Sequence, residues 1–211
     1  MDNNFIFREF SSTEKLDRSL SQHIAKILSG SLKDHLSATL VVSGGRSPKG
    51  FFKLLSKIQI DWANVVVTLA DDRWVDISHK DSNERLVKEL MLINNAESAK
   101  FIPLKTENDS AFDGAMELEH SFPKISSFSL VILGMGADGH TASLFPNTDS
   151  LRDGIDLNSS KQFIASKPAD APHMRISMTA CRLLAADEII IHITGDEKRK
   201  VLDKALAGTD A

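Results

Sequence analysis

One cysteine, Cys181, stands among 211 residues, so no internal disulfide framework can form and a reducing compartment is implied. Its expected role is that of a small buried apolar residue, not a nucleophile. Long apolar runs are missing too, none approaching the roughly 20 residues that span a bilayer. The opening Met1-Asp2-Asn3-Asn4-Phe5 has neither the basic start nor the apolar stretch of a secretory signal, so the expected location is the cytoplasm. No Lys/Arg stripe is present and the formal net charge is −4, which argues against tracking nucleic-acid phosphates. A small anion needs only a few well-placed cations, so such a ligand stays open. Two hydrolase signatures are absent as well: there is no G-x-S-x-G elbow and no H-E-x-x-H zinc helix.

What is present suits a single domain over residues 1–211, with 42% hydrophobic residues to fill one core and no compositionally biased segment. Ser11 and Glu14 have capping-box spacing ahead of Leu16, Leu20, Ile24, Ile27 and Leu28, which predicts a first helix ending near Gly30. Apolar runs at 38–42, 65–69, 101–103, 129–133, 163–165, 175–178 and 188–193 read as strands. Helices are predicted over 51–58, 82–92, 111–120 and 197–206, with a short one starting near Thr141. Continuous apolar strands alternating with helices predict an α/β fold, a Rossmann-like domain whose mostly parallel sheet is flanked by helices on both faces. In such sheets ligands collect at the carboxyl ends of the strands, where both glycine loops of this chain fall.

The first loop, Ser43-Gly44-Gly45-Arg46-Ser47-Pro48, lets an anion approach free backbone N–H groups at a helix start; read alone, it is equally an ordinary capped turn. Asp71-Asp72-Arg73-Trp74 follows a strand and is either a self-satisfied cluster or an arginine turned to ligand by two acids. A metal held by Asp71, Asp72, His79 and Asp81 matches no known ligand spacing. The run Gly134-Met135-Gly136-Ala137-Asp138-Gly139 fits G-x-G-x-x-G, but it follows a late strand and Asp153 and Asp156 lie in a loop, so the dinucleotide fingerprint is incomplete. It ends in His140, which has a motif around it. His23, His35 and His120 read as solvated positions, His192 as part of a strand, and His79 and His173 as loop residues. A histidine can take a proton from water near neutral pH, which favours direct water activation.

These blocks, extended through Thr141-Ala142-Ser143-Leu144-Phe145-Pro146, Pro172-His173-Met174-Arg175-Ile176-Ser177-Met178-Thr179 and Gly195-Asp196-Glu197-Lys198, resemble the 6-phosphogluconolactonases, which are related to the glucosamine-6-phosphate deaminases. The resemblance covers nearly the whole chain. It implies hydrolysis of 6-phospho-D-glucono-1,5-lactone without cofactor or metal. By this resemblance His140 is the base, Asp138 orients it and Arg73 faces the lactone. Gly44, Gly45 and Ser47 hold the phosphate with Arg175 and Lys198, and Arg46 is a further candidate contact. The family usually has Ser-Thr at Arg46-Ser47, Glu at Asp72 and Pro at Asp76, and this chain stops sooner after Leu206 than the resemblance leads one to expect. The expected partner is a small sugar phosphate lactone, with no nucleic acid, no membrane and a monomeric state favoured. Competing readings are a deaminase-like isomerase using Asp71 or Asp72 to abstract a carbon-bound proton, and a sugar-phosphate sensor without turnover.

Overall fold

A computed structural model describes residues 5–169 and 171–208; residues 1–4, on which the reading of the N-terminal start rests, lie outside the described residues. In chain order the elements are α1 (Thr13–Asp34), β1 (Ala38–Val42), α2 (Lys49–Leu55), β2 (Val65–Leu69), β3 (Asp71–Arg73), α3 (Asn83–Leu90), β4 (Lys100–Ile102), α4 (Ala111–Ser121) and β5 (Leu130–Leu133). They continue with α5 (Leu151–Ile155), β6 (Phe163–Ser166), β7 (Arg175–Met178), α6 (Ala180–Leu184), β8 (Ile189–Ile191) and α7 (Asp196–Leu206).

Five strands make a parallel sheet in the order β4-β2-β1-β5-β8, flanked by helices. The central β1 and β5 are buried at every residue, as strands covered on both faces must be, which explains their unbroken apolar character. The architecture is therefore the expected α/β one. No helix among the described residues is long and apolar enough to cross a membrane.

Four details differ from expectation. Strands β6 and β7 do not extend the parallel sheet; with β3 they form a separate antiparallel sheet, ordered β3-β7-β6. The chain changes sheets at Ala70, whose N–H bonds Val42 of β1 at 2.9 Å while its carbonyl accepts Met178 N–H at 2.9 Å. One core nonetheless joins the two, because Ile176, Met178 and Phe163 pack in the same cluster as Leu40 and Val131. Second, no helix starts near Thr141: the segment is a turn, with Ala142 at a φ of 49°, and the next helix is α5. Third, α1 runs past Gly30 to Asp34, and its capping side chain is Ser12, which accepts Lys15 N–H. Finally, Cys181 is half-buried rather than buried.

Asp72 ties the second sheet to the start of α3. Its carboxylate is 1% exposed and accepts backbone N–H bonds from Asn83 (2.7 Å), Glu84 (3.0 Å) and Arg73 (2.7 Å). Burial outweighs these bonds and pushes the carboxyl up to about 6 from 3.8. The folded state thus holds this proton more tightly than the unfolded chain. Its contribution is full below about pH 4 and is lost as pH rises through about 6, roughly 3 kcal/mol in all. Urea denaturation of wild type and Asp72→Asn should show the variant gaining about that much relative to wild type between pH 4 and 7. A difference that does not change with pH would contradict this assignment.

Candidate active site

At the carboxyl edge of the parallel sheet lies a cavity of about 400 Å³. Gly44, Gly45, Arg46, Ser47, Arg73, His140, Arg175 and Lys198 all line it, although they come from five separate stretches of chain. Asp138 does not line it; it sits behind His140.

The His140 ring is held from two sides. Its Nδ1 lies 2.5 Å from Asp138 Oδ1, and its ring packs on Phe145 with centroids 4.2 Å apart. Burial pushes the Asp138 carboxyl up, but the hydrogen bond and charge of His140 prevail and hold it below its usual value. An ionised Asp138 can only accept, so Nδ1 carries a proton, and the neutral form of the ring keeps its lone pair on Nε2. This pair lies over the main chain at Gly136, where an added Cβ would collide with Asp138 Oδ1 and the His140 ring. For the catalytic role proposed below, Gly136→Ala should therefore yield a folded protein with turnover reduced about 10²-fold, because a 1 Å displacement of a catalytic group can cost that much. Steady-state kinetics with a thermal melt checks this, and unchanged turnover would show that the pair's placement is not needed.

Two arginines face the same cavity. Arg73 and Arg175 stand directly opposite each other across β3 and β7. Neither forms a salt bridge among the described residues. Instead Arg73 Nη1 donates to the Asp81 carbonyl (2.6 Å), and Arg175 Nη1 donates to the carbonyls of Pro172 (2.5 Å) and His173 (2.9 Å). Arg175 is only 5% exposed; burial first, and the like charge of Arg73 next, pull its affinity for a proton down. Asp71, Asp81 and Asp72 act on Arg175 by charge, but with no direct salt bridge to either guanidinium among the described residues the pair makes a site that an anion would stabilise.

The acids beside Arg73 have structural work. Asp71 Oδ2 accepts from Ser143 Oγ at 2.6 Å, and the Asp71 carbonyl accepts Asn83 Nδ2 at 2.9 Å. Ser143 N–H in turn donates to Ser177 Oγ, and the Ser143 carbonyl accepts Ser166 Oγ. The loop that follows His140 is thereby fastened to the antiparallel sheet. Asn83 packs so closely on Gly44 that a Cβ there would overlap its amide.

Of the four residues weighed as metal donors, only His79 and Asp81 come together, and they do so with His173 instead of Asp71 and Asp72. One donor atom from each of His79, Asp81 and His173 lies within 4.8 Å of the others, so these three could hold an ion. They already bond among themselves, His173 Nε2 lying 3.1 Å from Asp81 Oδ2 and Asp81 N–H donating to His79 Nδ1. Through their carbonyls Asp81 and His173 also hold Arg73 and Arg175.

Sequence reasoning missed Ser143, Phe145, Asn83 and His192 as parts of this site. His192 lies just past β8, shorter than the predicted 188–193, and is 5% exposed. The signal available for it was its place at the carboxyl end of an apolar strand. Among the other histidines, His35 and His120 are exposed as expected, whereas His23 is half-buried with Nε2 2.6 Å from Glu188 Oε1.

A family model described as glucosamine-6-phosphate isomerases/6-phosphogluconolactonase matches residues 11–211. The chain is 38% identical over 208 residues to a 6-phosphogluconolactonase of Neisseria meningitidis serogroup A, covering 97% of this chain and 89% of that protein. It is 37% identical over 199 residues to one from Helicobacter pylori, covering 94% and 85%. Among solved structures, a 6-phosphogluconolactonase from Shewanella baltica OS155 superposes with a TM-score of 0.91 at 38% identity, over 98% of this chain and 88% of that one.

Proposed function

The chain belongs to the glucosamine-6-phosphate isomerase/6-phosphogluconolactonase family, and from that membership and the site geometry we propose that it hydrolyses 6-phospho-D-glucono-1,5-lactone to 6-phospho-D-gluconate. It would do so in the cytoplasm, as one domain in the oxidative pentose phosphate pathway, acting as a monomer and without metal or cofactor. The observation that carries this reading is one cavity holding both a histidine whose Nδ1 is taken by Asp138 and two arginines with no direct salt bridge among the described residues.

His140 Nε2 takes a proton from water as the water oxygen bonds to the lactone carbonyl carbon. Arg73 and loop N–H groups stabilise the resulting oxyanion, a contribution of roughly 3 kcal/mol per donor. The bond from the carbonyl carbon to the ring oxygen then breaks, and the imidazolium returns its proton to that oxygen. Asp138 keeps the ring in one tautomer and favours its charged form during the step. Arg175, Lys198 and the loop at 44–47 hold the phosphoryl group, so binding energy far from the carbonyl positions the ring.

The isomerase alternative needs a free carboxylate near carbon-bound hydrogen. Asp72 is closed in by three N–H donors, and Asp71 is engaged by Ser143. Purified protein given freshly made lactone should produce 6-phosphogluconate well above the spontaneous rate, and should release no ammonia from glucosamine 6-phosphate. The reverse pattern would replace this reading with the isomerase one, and binding without either reaction would mark a sensor.

A further inference from the structure

His192 takes no part in the chemistry above, yet it faces the cavity from a dry position. It is 5% exposed, and its Nε2 is buried with no hydrogen-bond partner among the described residues. Native proteins rarely leave such an atom orphaned, because the group has lost its water and gained nothing in return. The ring is not loose: its edge meets Phe51 with centroids 5.4 Å apart and planes at 80°. The His192 N–H donates to Leu133 O at 2.8 Å, which sets the residue one step beyond the pairing of β8 with β5, at the sheet edge where ligands collect.

A second orphan lies on the same wall. Ser43 Oγ is buried without a partner among the described residues, and Ser43 N–H bonds Ile132 O at 3.1 Å, the matching step beyond β1 on the other side of β5. Both residues line the cavity, together with Gly44, Gly45 and Lys198. Lys198, in the first turn of α7, is close enough for its charge to act on His192. Two unsatisfied polar atoms beside a cation and a glycine loop describe a wall built for an oxygen-rich anion.

We propose that His192 is a ligand-binding residue for the phosphoryl group, its buried ring nitrogen meeting a phosphoryl oxygen next to Lys198. The proposal rests on the sugar-phosphate reading for the identity of that anion. Burial, with the Lys198 charge second, lowers the imidazole to about 4, so the ring is neutral near pH 7 and its Nε2–H tautomer has one N–H to offer. Phosphate placed beside Lys198 would offset the repulsion that this cation exerts on a charged ring. Ligand and imidazole would then hold each other in place, and a sugar lacking phosphate would find no partner at this end.

Titration of the wild-type protein with inorganic phosphate, followed by ¹⁵N NMR of the histidine side chains, should perturb the His192 ring at saturation. Isothermal titration with 6-phosphogluconate should show His192→Leu weakening binding by about 10- to 100-fold, the range for a hydrogen bond to a charged group. His192→Asn, which keeps a donor, should recover part of the loss, and gluconate without phosphate should bind all three proteins alike. A silent His192 ring at saturating phosphate would overturn the proposal, as would equal affinity of folded wild type and His192→Leu for 6-phosphogluconate. These are binding measurements, so a protein that binds phosphate through His192 but does not hydrolyse the lactone would retain this assignment and lose the lactonase one.

Discussion

His140→Asn should lower kcat for the lactone by about 10²–10⁴-fold, the share a positioned general base supplies, with little change in the affinity for 6-phosphogluconate. The asparagine amide can still bond Asp138 but cannot take a proton from water. Because the side chain is 25% exposed and its one ring contact among the described residues is with Phe145, its loss should leave the melting temperature nearly unchanged. Corrected for spontaneous opening of the lactone, initial rates by pH-stat or coupled reduction of the product give the comparison. A folded variant within a few-fold of wild type would remove His140 from the mechanism.

The second large effect belongs to Arg175. Arg175→Met should raise KM for the phosphorylated lactone by about 10²-fold, since in the proposed mechanism it removes a charge-assisted partner of the phosphoryl group from a buried position. Stability should move in a different way from binding. The guanidinium stands opposite Arg73 across β3 and β7 with no direct salt bridge among the described residues, so its removal relieves burial and like-charge repulsion while losing the attraction of Asp71, Asp81 and Asp72 and leaving the Pro172 and His173 carbonyls short of a donor. These effects oppose each other, and the melting temperature should shift by only a few degrees while KM climbs. If KM stays constant and the protein merely unfolds more easily, Arg175 serves the fold and not the ligand.

The parallel sheet was legible in the sequence because β1, β2 and β5 are buried strands whose apolar runs admit few other readings. Of the antiparallel sheet, β6 and β7 were legible as strands, but their separate sheet and its third strand were not. Its strand β3 is Asp71, Asp72 and Arg73, three charged residues that show no alternation of polar and apolar faces, and tertiary pairing with β7 decides its form. The turn after His140 was misread for a related reason. Thr141, Ala142 and Ser143 look like the start of a helix, but the Ser143 hydroxyl bonds Asp71 instead of capping one, and Ala142 takes a left-handed conformation. Within the site, the glycine loops and His140 announced themselves by local spacing. His192 and Asn83 did not, since their roles come from strands and loops that meet only in three dimensions.

The central claim is that water, prepared by His140, attacks the lactone directly. A single turnover with enzyme in excess, run in H₂¹⁸O and quenched before spontaneous opening contributes, tests it most directly by mass spectrometry of the product. Direct attack requires one ¹⁸O in the new carboxylate of 6-phosphogluconate at the first turnover. Product with an unlabelled carboxylate, or an acylated protein in the intact mass of the quenched sample, would contradict the account.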